Sequence, residues 1–266
     1  MKDYILISNT TENKVINFYL DYLSSQLKKL TNEKIFCKEL SPGKAYEWEL
    51  STNKYDPKLK KIIFDFQKNR EIDCNFITSV TNRKKKLLIA DMDSTIIKEE
   101  SLDELARQIG KEKEVSYITN QAMNGKIEFK KALIKRVAIL KGKSTDILET
   151  LKKNININDG AKELVKTMNE NGSITVLVSG GFTFLTEYIK ELLNFKYAHA
   201  NSLEIIEKEF QKYEITGKVE EPILDNKAKL KYLNKYIKKY NLNYNDTICV
   251  GDGANDIEMI QNAKIG

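Results

Sequence analysis

Short apolar runs closed by polar or glycine-rich turns recur along the chain, and the stretches between them carry apolar side chains at helical spacing. Lys86-Leu87-Leu88-Ile89-Ala90, Ser173 to Val178 and Asp246 to Val250 are short, continuous and apolar. That pattern marks strands buried on both faces of a parallel sheet. Ala161 to Asn171, Thr183 to Leu193 and Asp225 to Tyr240 are instead periodic and amphipathic, as helices are. Strands alternating with helices predict a doubly wound α/β parallel sheet over residues 84–266. One stretch breaks the alternation. From Ser101 to about Ile157 the pattern is almost wholly helical: Ser101 and Glu104 predict a capping box, Gly110 a stop, and Glu128 to Lys141 a further amphipathic helix. It is too long for a simple crossover, so residues 98–157 are expected to form a helical cap inserted over the sheet edge.

Residues 1–83 read as a separate small α+β leader domain. Tyr4 to Ile7 is strand-like, and Val15, Ile16, Tyr19, Leu20, Leu23, Leu27 and Leu30 recur at helical spacing. After the Ser41-Pro42-Gly43 turn, Tyr46, Trp48 and Leu50 alternate with charged residues, as in a strand with one face buried. Asp56-Pro57 supplies an N-cap and a first-turn proline for a helix bearing Leu59, Ile62, Ile63 and Phe66. Asp73 to Val80 closes a β-α-β-α-β order that carries no catalytic constellation.

Composition narrows the function. No run approaches the about 20 apolar residues of a membrane helix, and Met1 to Ser8 is too mixed for a signal peptide. Cys37, Cys74 and Cys249 are few, odd in number and widely spaced, which argues against a disulfide framework or a zinc site and for a cytoplasmic setting. The net charge of +6 is spread over many helices, so a small anionic substrate is expected, with no nucleic acid and no membrane as partner; a homodimer stays open. Arg83-Lys84-Lys85-Lys86, the densest basic run, reads as a solvated linker before a buried strand. With His199 the one histidine, imidazole chemistry has little to draw on, and attention passes to carboxylates.

Asp91-Met92-Asp93-Ser94-Thr95 directly follows the strand Leu87 to Ala90, where open α/β sheets collect ligands. An aspartate at its ordinary pKa of about 3.9 is ionised and can attack phosphorus, provided a cation such as magnesium offsets the repulsion of a phosphate dianion. Asp91 is thus the expected nucleophile and metal ligand, and Asp93 the acid and base that serves the leaving alkoxide and then the attacking water. Ser179-Gly180-Gly181 ends a second strand ahead of a helix and suits a phosphate. Gly251-Asp252-Gly253-Ala254-Asn255-Asp256 ends a third; Asp252 is the expected metal ligand and Asp256 an outer support. A calcium loop is the rival for that segment, but it lacks the alternating acidic positions and the terminal Glu. Lys227, before a helix, is the expected fixed charge on the phosphate.

These four segments resemble the motifs of the haloacid dehalogenase superfamily, and within it the phosphoserine phosphatase family, over Lys86 to the C-terminus. The resemblance implies a Rossmann-like core, magnesium as cofactor, and hydrolysis of phosphoserine through a phospho-aspartate on Asp91, the metal held by Asp91, the Asp93 carbonyl and Asp252. It further implies that Glu100 holds the substrate ammonium, that Arg136 holds its carboxylate, and that Ser179, Gly180, Lys227 and Asn255 hold phosphate. Met123 and Phe129, in Gln121 to Phe129, are similar to the pair that closes over substrate, and Phe182 also fits the pattern. A zwitterionic amino acid needs one anion and one cation, and an arginine fork matches a carboxylate. The same chemistry on another small phosphoester, and an inert amino-acid-binding protein, are the competing readings. The leader is similar to the ACT-like domains that precede some of these phosphatases. The chain stops at Ala263-Lys264-Ile265-Gly266, where the family continues through another strand that Ile265-Gly266 would begin, so a truncated sequence or reduced stability is expected.

Overall fold

The structure, a computed structural model, describes residues 2–10, 16–31, 35–52, 57–68, 72–78, 83–124, 126–225 and 227–266. Val15, Asp56, Val80 and Gly125, together with the side chains of Ile16 and Met123, lie outside what is described. The chain divides into two compact units, Met1–Arg83 and Lys84–Gly266.

The first unit runs β1 (Lys2–Thr10), α1 (Ile16–Thr31), β2 (Phe36–Ser41), β3 (Ala45–Thr52), α2 (Pro57–Gln67) and β4 (Ile72–Thr78). Its sheet is antiparallel in the order β2-β3-β1-β4. The alternation of Tyr46, Trp48 and Leu50 does face a core, shared with Leu23, Leu27, Leu59, Ile63 and Phe66 from the helices. Trp48 donates its Nε1–H to the Ser24 hydroxyl at 2.8 Å. The strand β2 went unread in the sequence because Phe36 to Leu40 are all exposed, so no buried stripe marks its period.

The second unit is built on a parallel sheet in the order β11-β5-β7-β8, from β5 (Leu87–Ala90), β7 (Ile174–Phe182), β8 (Tyr197–Asn201) and β11 (Thr247–Val250). Successive β5 side chains take opposite faces, as the pleat requires. Leu88 and Ala90 join one apolar cluster with Leu177, Leu185 and Ile189. Leu87 and Ile89 join another with Val176, Leu233, Tyr236 and Met259. The covering helices are α7 (Ala161–Glu170), α8 (Thr183–Leu193), α9 (Ala228–Lys239) and α10 (Ile257–Asn262). Ile265 bridges Ile248 in parallel register beyond β11.

The insertion after β5 holds α3 (Ser101–Gln108), α4 (Glu112–Met123), α5 (Phe129–Ala138), β6 (Lys143–Ser144) and α6 (Asp146–Asn154). Its two ends are sewn together by the Ile97–Ile157 bridge and by Glu99, whose carboxylate accepts from the Asn156 backbone at 3.0 Å and side chain at 2.7 Å. A feature absent from the sequence reading is a second, antiparallel sheet, β6-β10-β9, from β9 (Leu203–Glu209) and β10 (Lys212–Val219). Most of β9 is exposed, with Ile205 and Ile206 side by side and the other outward residues charged, which hides its strand period from a hydrophobicity pattern. The expected capping box at Ser101 does not form. Glu100 is the N-cap residue, no side chain of the cap bonds the helix start, and Ser101 is already helical. Its N–H finds a different acceptor, described below.

The basic run Arg83 to Lys86 is partly spent within the protein. Arg83 pairs with Glu47, Lys85 donates to the Asn245 carbonyl at 2.8 Å, and Lys86 pairs with Asp246 at 3.1 Å.

Candidate active site

Parallel pairing decides what meets. Ala90 lies opposite Val250 and Leu177, so the turns that leave β5, β7 and β11 emerge side by side. The Asp91 N–H donates to the Val250 carbonyl at 3.0 Å, which carries this register one residue past the strands. As a result the carboxylates of Asp91, Asp252 and Asp256 converge, with ligand oxygens within 4.8 Å of one another. Asp91 and Asp256 are buried and Asp252 is exposed.

A lysine sits among them, but it is Lys229 and not Lys227. Lys229 is 4% exposed, with Nζ 2.7 Å from Asp91 and 2.6 Å from Asp256. Lys227 is exposed at the N-cap of α9, its backbone N–H donating to Asp225 at 3.0 Å. The correction follows from helical geometry. Residues two apart differ by about 200° around the axis, so only one of the two lysines can face the sheet. Asp256 is fully buried and doubly engaged, by Lys229 and by the Gly253 N–H at 3.0 Å.

Burial corrects the expectation of an ordinary ionised nucleophile. On the protein's own groups, desolvation drives the Asp91 carboxyl up to about 8; Lys229 pulls it down, while Asp256 and Asp93 push it further up. A cation added beside it would favour the carboxylate form. The donor set fits one: hard carboxylate oxygens, one of them solvent-facing, suit magnesium or a similar divalent ion. The Thr95 hydroxyl donates to Asp252 at 3.2 Å and helps aim it.

Asp93 is oriented differently. Its carboxylate accepts from the Ser101 N–H at 2.8 Å and from the Ser179 hydroxyl at 3.0 Å. It is therefore the acceptor that replaces the capping box, with a negative group at the positive end of α3. Its carboxylate is not among the converging three. Gly181 fits here because a Cβ on it would lie 3.0 Å from Asp93 Oδ2 and 3.1 Å from Ser179 Oγ.

Ser179, Gly180, Lys229 and Asn255 share a cavity of about 10 Å³ with Phe129 of the cap and Leu224. That is room for about one water. A Cβ on Gly180 would meet the Phe129 ring at 3.0 Å, so this cap aromatic stands directly against the glycine turn. Glu100 accepts from Ser94 Oγ at 2.6 Å, and Ser94 holds a left-handed φ of 50° to present it. The Glu100 carboxyl is raised by burial, lowered by Ser94, and raised again by Asp93, Asp252 and Asp103. Arg136 is half-buried and, among the described residues, hydrogen-bonds to the Ala132 carbonyl and the Thr119 hydroxyl, each at 3.4 Å. It takes part in none of the ion pairs found among the described residues; Glu128 pairs with Lys131 instead. Burial lowers the Arg136 pKa, while the fields of Asp103, Glu100 and Asp93 act to raise it.

The haloacid dehalogenase-like hydrolase profile matches residues 88–261. The chain belongs to that family. Two relatives in this hydrolase family are a probable phosphoserine phosphatase of Schizosaccharomyces pombe, 41% identical over 73% of this chain and 65% of the relative, and a phosphoserine phosphatase of Methanocaldococcus jannaschii, 41% identical over 69% of this chain and 84% of the relative. Of the Archaeoglobus fulgidus phosphoserine phosphatase, 40% identical, the chain spans 53%, so it covers about half to two-thirds of some longer relatives. Among solved structures, a substrate-bound phosphoserine phosphatase complex superposes with a TM-score of 0.62, at 40% identity over 69% of this chain and 85% of that one. A probable phosphoserine phosphatase from Vibrio cholerae covers 99% of this chain and 77% of its own, with a TM-score of 0.75 and 27% identity. The hydrolase fold over about two-thirds of the chain is shared with the first of these structures, and the Vibrio cholerae match extends over nearly the whole chain.

Proposed function

We propose that the chain hydrolyses O-phospho-L-serine to L-serine and phosphate, the last step of serine synthesis, through a phospho-aspartate on Asp91. The observation that carries this is the meeting of Asp91, after β5, with Asp252 and Asp256, after β11, and of Asp91 and Asp256 with Lys229 of α9. A set of oxygen donors beside a buried lysine suits phosphoryl transfer, which asks mainly for positioning and charge. The substrate follows from the cap and from kinship. Among the described residues Arg136 makes no ion pair and two long hydrogen bonds, and Glu100 accepts from Ser94, which leaves one cation and one anion for a zwitterion. One solved relative, 41% identical over 68% of this chain, is a phospho-aspartyl intermediate analogue of phosphoserine phosphatase.

Magnesium, held by Asp91, Asp252 and the Asp93 carbonyl, would supply the positive charge that lets a carboxylate and a phosphate dianion approach. The remaining work falls to this chain's own residues. Ser179, Gly180, Lys229 and Asn255 hold the phosphate, and Lys229 also offsets the charge of Asp256 behind the nucleophile. The Asp91 carboxylate takes the phosphoryl group as the ester bond breaks. Asp93, already accepting a hydrogen bond from Ser179, gives its proton to the serine oxygen and then takes one from the attacking water. Phe129 excludes solvent above Gly180. A cytoplasmic setting accords with three free cysteines, and no described helix is long and apolar enough to cross a membrane.

The test is phosphate release from a panel of small phosphoesters, with magnesium and with chelator. Phosphoserine should be turned over first and only with the metal. A panel in which a sugar phosphate wins would move the assignment to another substrate, and serine binding with no turnover would make the chain an inert binding protein.

A further inference from the structure

Beside the site lies a buried asparagine that none of the motif residues includes. β7 and β8 pair at Val178–His199 and again at Phe182–Asn201. Between these pairs β7 carries Ser179, Gly180 and Gly181 against the single Ala200 of β8, so the glycine turn bulges out of the ladder. Bulges lack ladder partners and need something else to fix them. Asn201 is that partner. It is 2% exposed, its Nδ2 donates to the Gly180 carbonyl at 2.8 Å, and its Oδ1 accepts from the Leu224 N–H at 2.7 Å.

The first bond has a consequence at a distance. The Gly180 carbonyl and the Gly181 N–H belong to one planar peptide, so fixing one fixes the other. The Gly181 N–H donates to Ser179 Oγ at 2.8 Å, and that hydroxyl donates to Asp93 Oδ2 at 3.0 Å. A continuous chain of hydrogen bonds thus runs from Asn201 through the bulge to the proton-transfer carboxylate. The second bond ties the same bulge to Leu224, on the segment that leads into α9 and Lys229.

We infer that Asn201 is a positioning residue, holding the Ser179–Gly181 bulge so that the Ser179 hydroxyl keeps Asp93 aimed at the leaving oxygen. The inference rests on the phosphatase reading above. Misplacing a general acid by a fraction of an ångström matters most when the leaving group needs its proton. An alkyl phosphate needs it; a nitrophenyl phosphate, which leaves as a stable phenolate, does not.

The experiment compares kcat/KM for phosphoserine and for p-nitrophenyl phosphate, in wild type, Asn201→Leu and Asn201→Asp, each corrected for its folded fraction by circular dichroism. Asn201→Leu removes both bonds. Asn201→Asp keeps an acceptor for Leu224 and loses only the donor to Gly180, which guards against a variant that fails to fold. Both should lose about 100-fold with phosphoserine and less than about tenfold with the aryl ester. Equal losses on the two esters, or losses under about twofold, would overturn the positioning role while the phosphatase reading stood. A wild type inactive on every phosphoester would overturn that reading instead. Inorganic phosphate titrated into wild type and Asn201→Asp would then test the bulge alone, weaker binding in the variant supporting its role and unchanged or absent binding ending it.

Discussion

The site has two halves that differ in how far their polar groups are already committed. At the sheet ends, Asp91 and Asp256 are buried and each lies within 3 Å of the buried Lys229 Nζ, and Asp93 is held from two directions. In the cap, Arg136 has two long hydrogen bonds and Glu100 a single short one to Ser94. The difference is physical economy. Groups that stabilise a transition state gain by being fixed in advance, since no reorganisation is then needed during reaction. Groups that recognise a substrate keep their donors for it. The cavity of about 10 Å³ where Phe129 meets the glycine turn has room for about one water.

The largest effect expected is at the nucleophile. Asp91→Asn should lower turnover on the order of 10⁴-fold or more, with the far-ultraviolet circular dichroism unchanged. Near-normal activity in that variant would break the assignment of the sheet-end half. Next comes Lys229→Met, which leaves Asp256 buried without its cation. Urea unfolding should show a loss of about 3–5 kcal/mol, along with lost activity, whereas Lys227→Met should stay within about 0.5 kcal/mol. Reversed results for the two lysines would restore Lys227 to the site.

The cap half should respond in a different parameter. Arg136→Ala should raise KM for phosphoserine roughly 10- to 150-fold, the worth of about 1.5–3 kcal/mol of charged hydrogen bonding, with kcat little changed. A fall in kcat alone would place Arg136 with the pre-set groups and erase the contrast. The smallest effect is a stability change away from the chemistry. His199 stacks on Tyr232 and bonds the Tyr236 hydroxyl at 2.8 Å, and burial, with Lys235 next in weight, pulls its pKa down to about 4. Because the folded state resists the proton that the unfolded chain accepts near 6.5, stability should fall as pH drops from about 6.5 towards 4. Thermal melts of His199→Phe should lack that component, and a variant that still follows the wild-type curve would locate the titration elsewhere.

Much of this was legible in the sequence because it is written in local pattern. The three apolar runs became β5, β7 and β11; the motif residues follow β5 and β11 directly, while Ser179 to Gly181 form a bulge within the end of β7. The elements that escaped are β2 and the β8 to β10 stretch. The first is an exposed edge, and most of β9 in the second is exposed, so neither of these strands carries a buried period. At the site, the choice between Lys227 and Lys229 turned on where α9 begins and which way its first turn faces, and the sequence marks neither. Ser101 looked like its own cap, since Ser-x-x-Glu is a local signal. A carboxylate eight residues upstream provides a better acceptor through a tertiary contact.

By itself the sequence determined the order of strands and helices, the residue types at each strand end and the family to which the chain belongs, because these depend on neighbours in the chain. Only the tertiary structure decided the electrostatic setting of Asp91, the identity of its lysine and the role open to Asn201. Those depend on burial and on contacts between segments up to about 160 residues apart, and no local pattern encodes a distance through space.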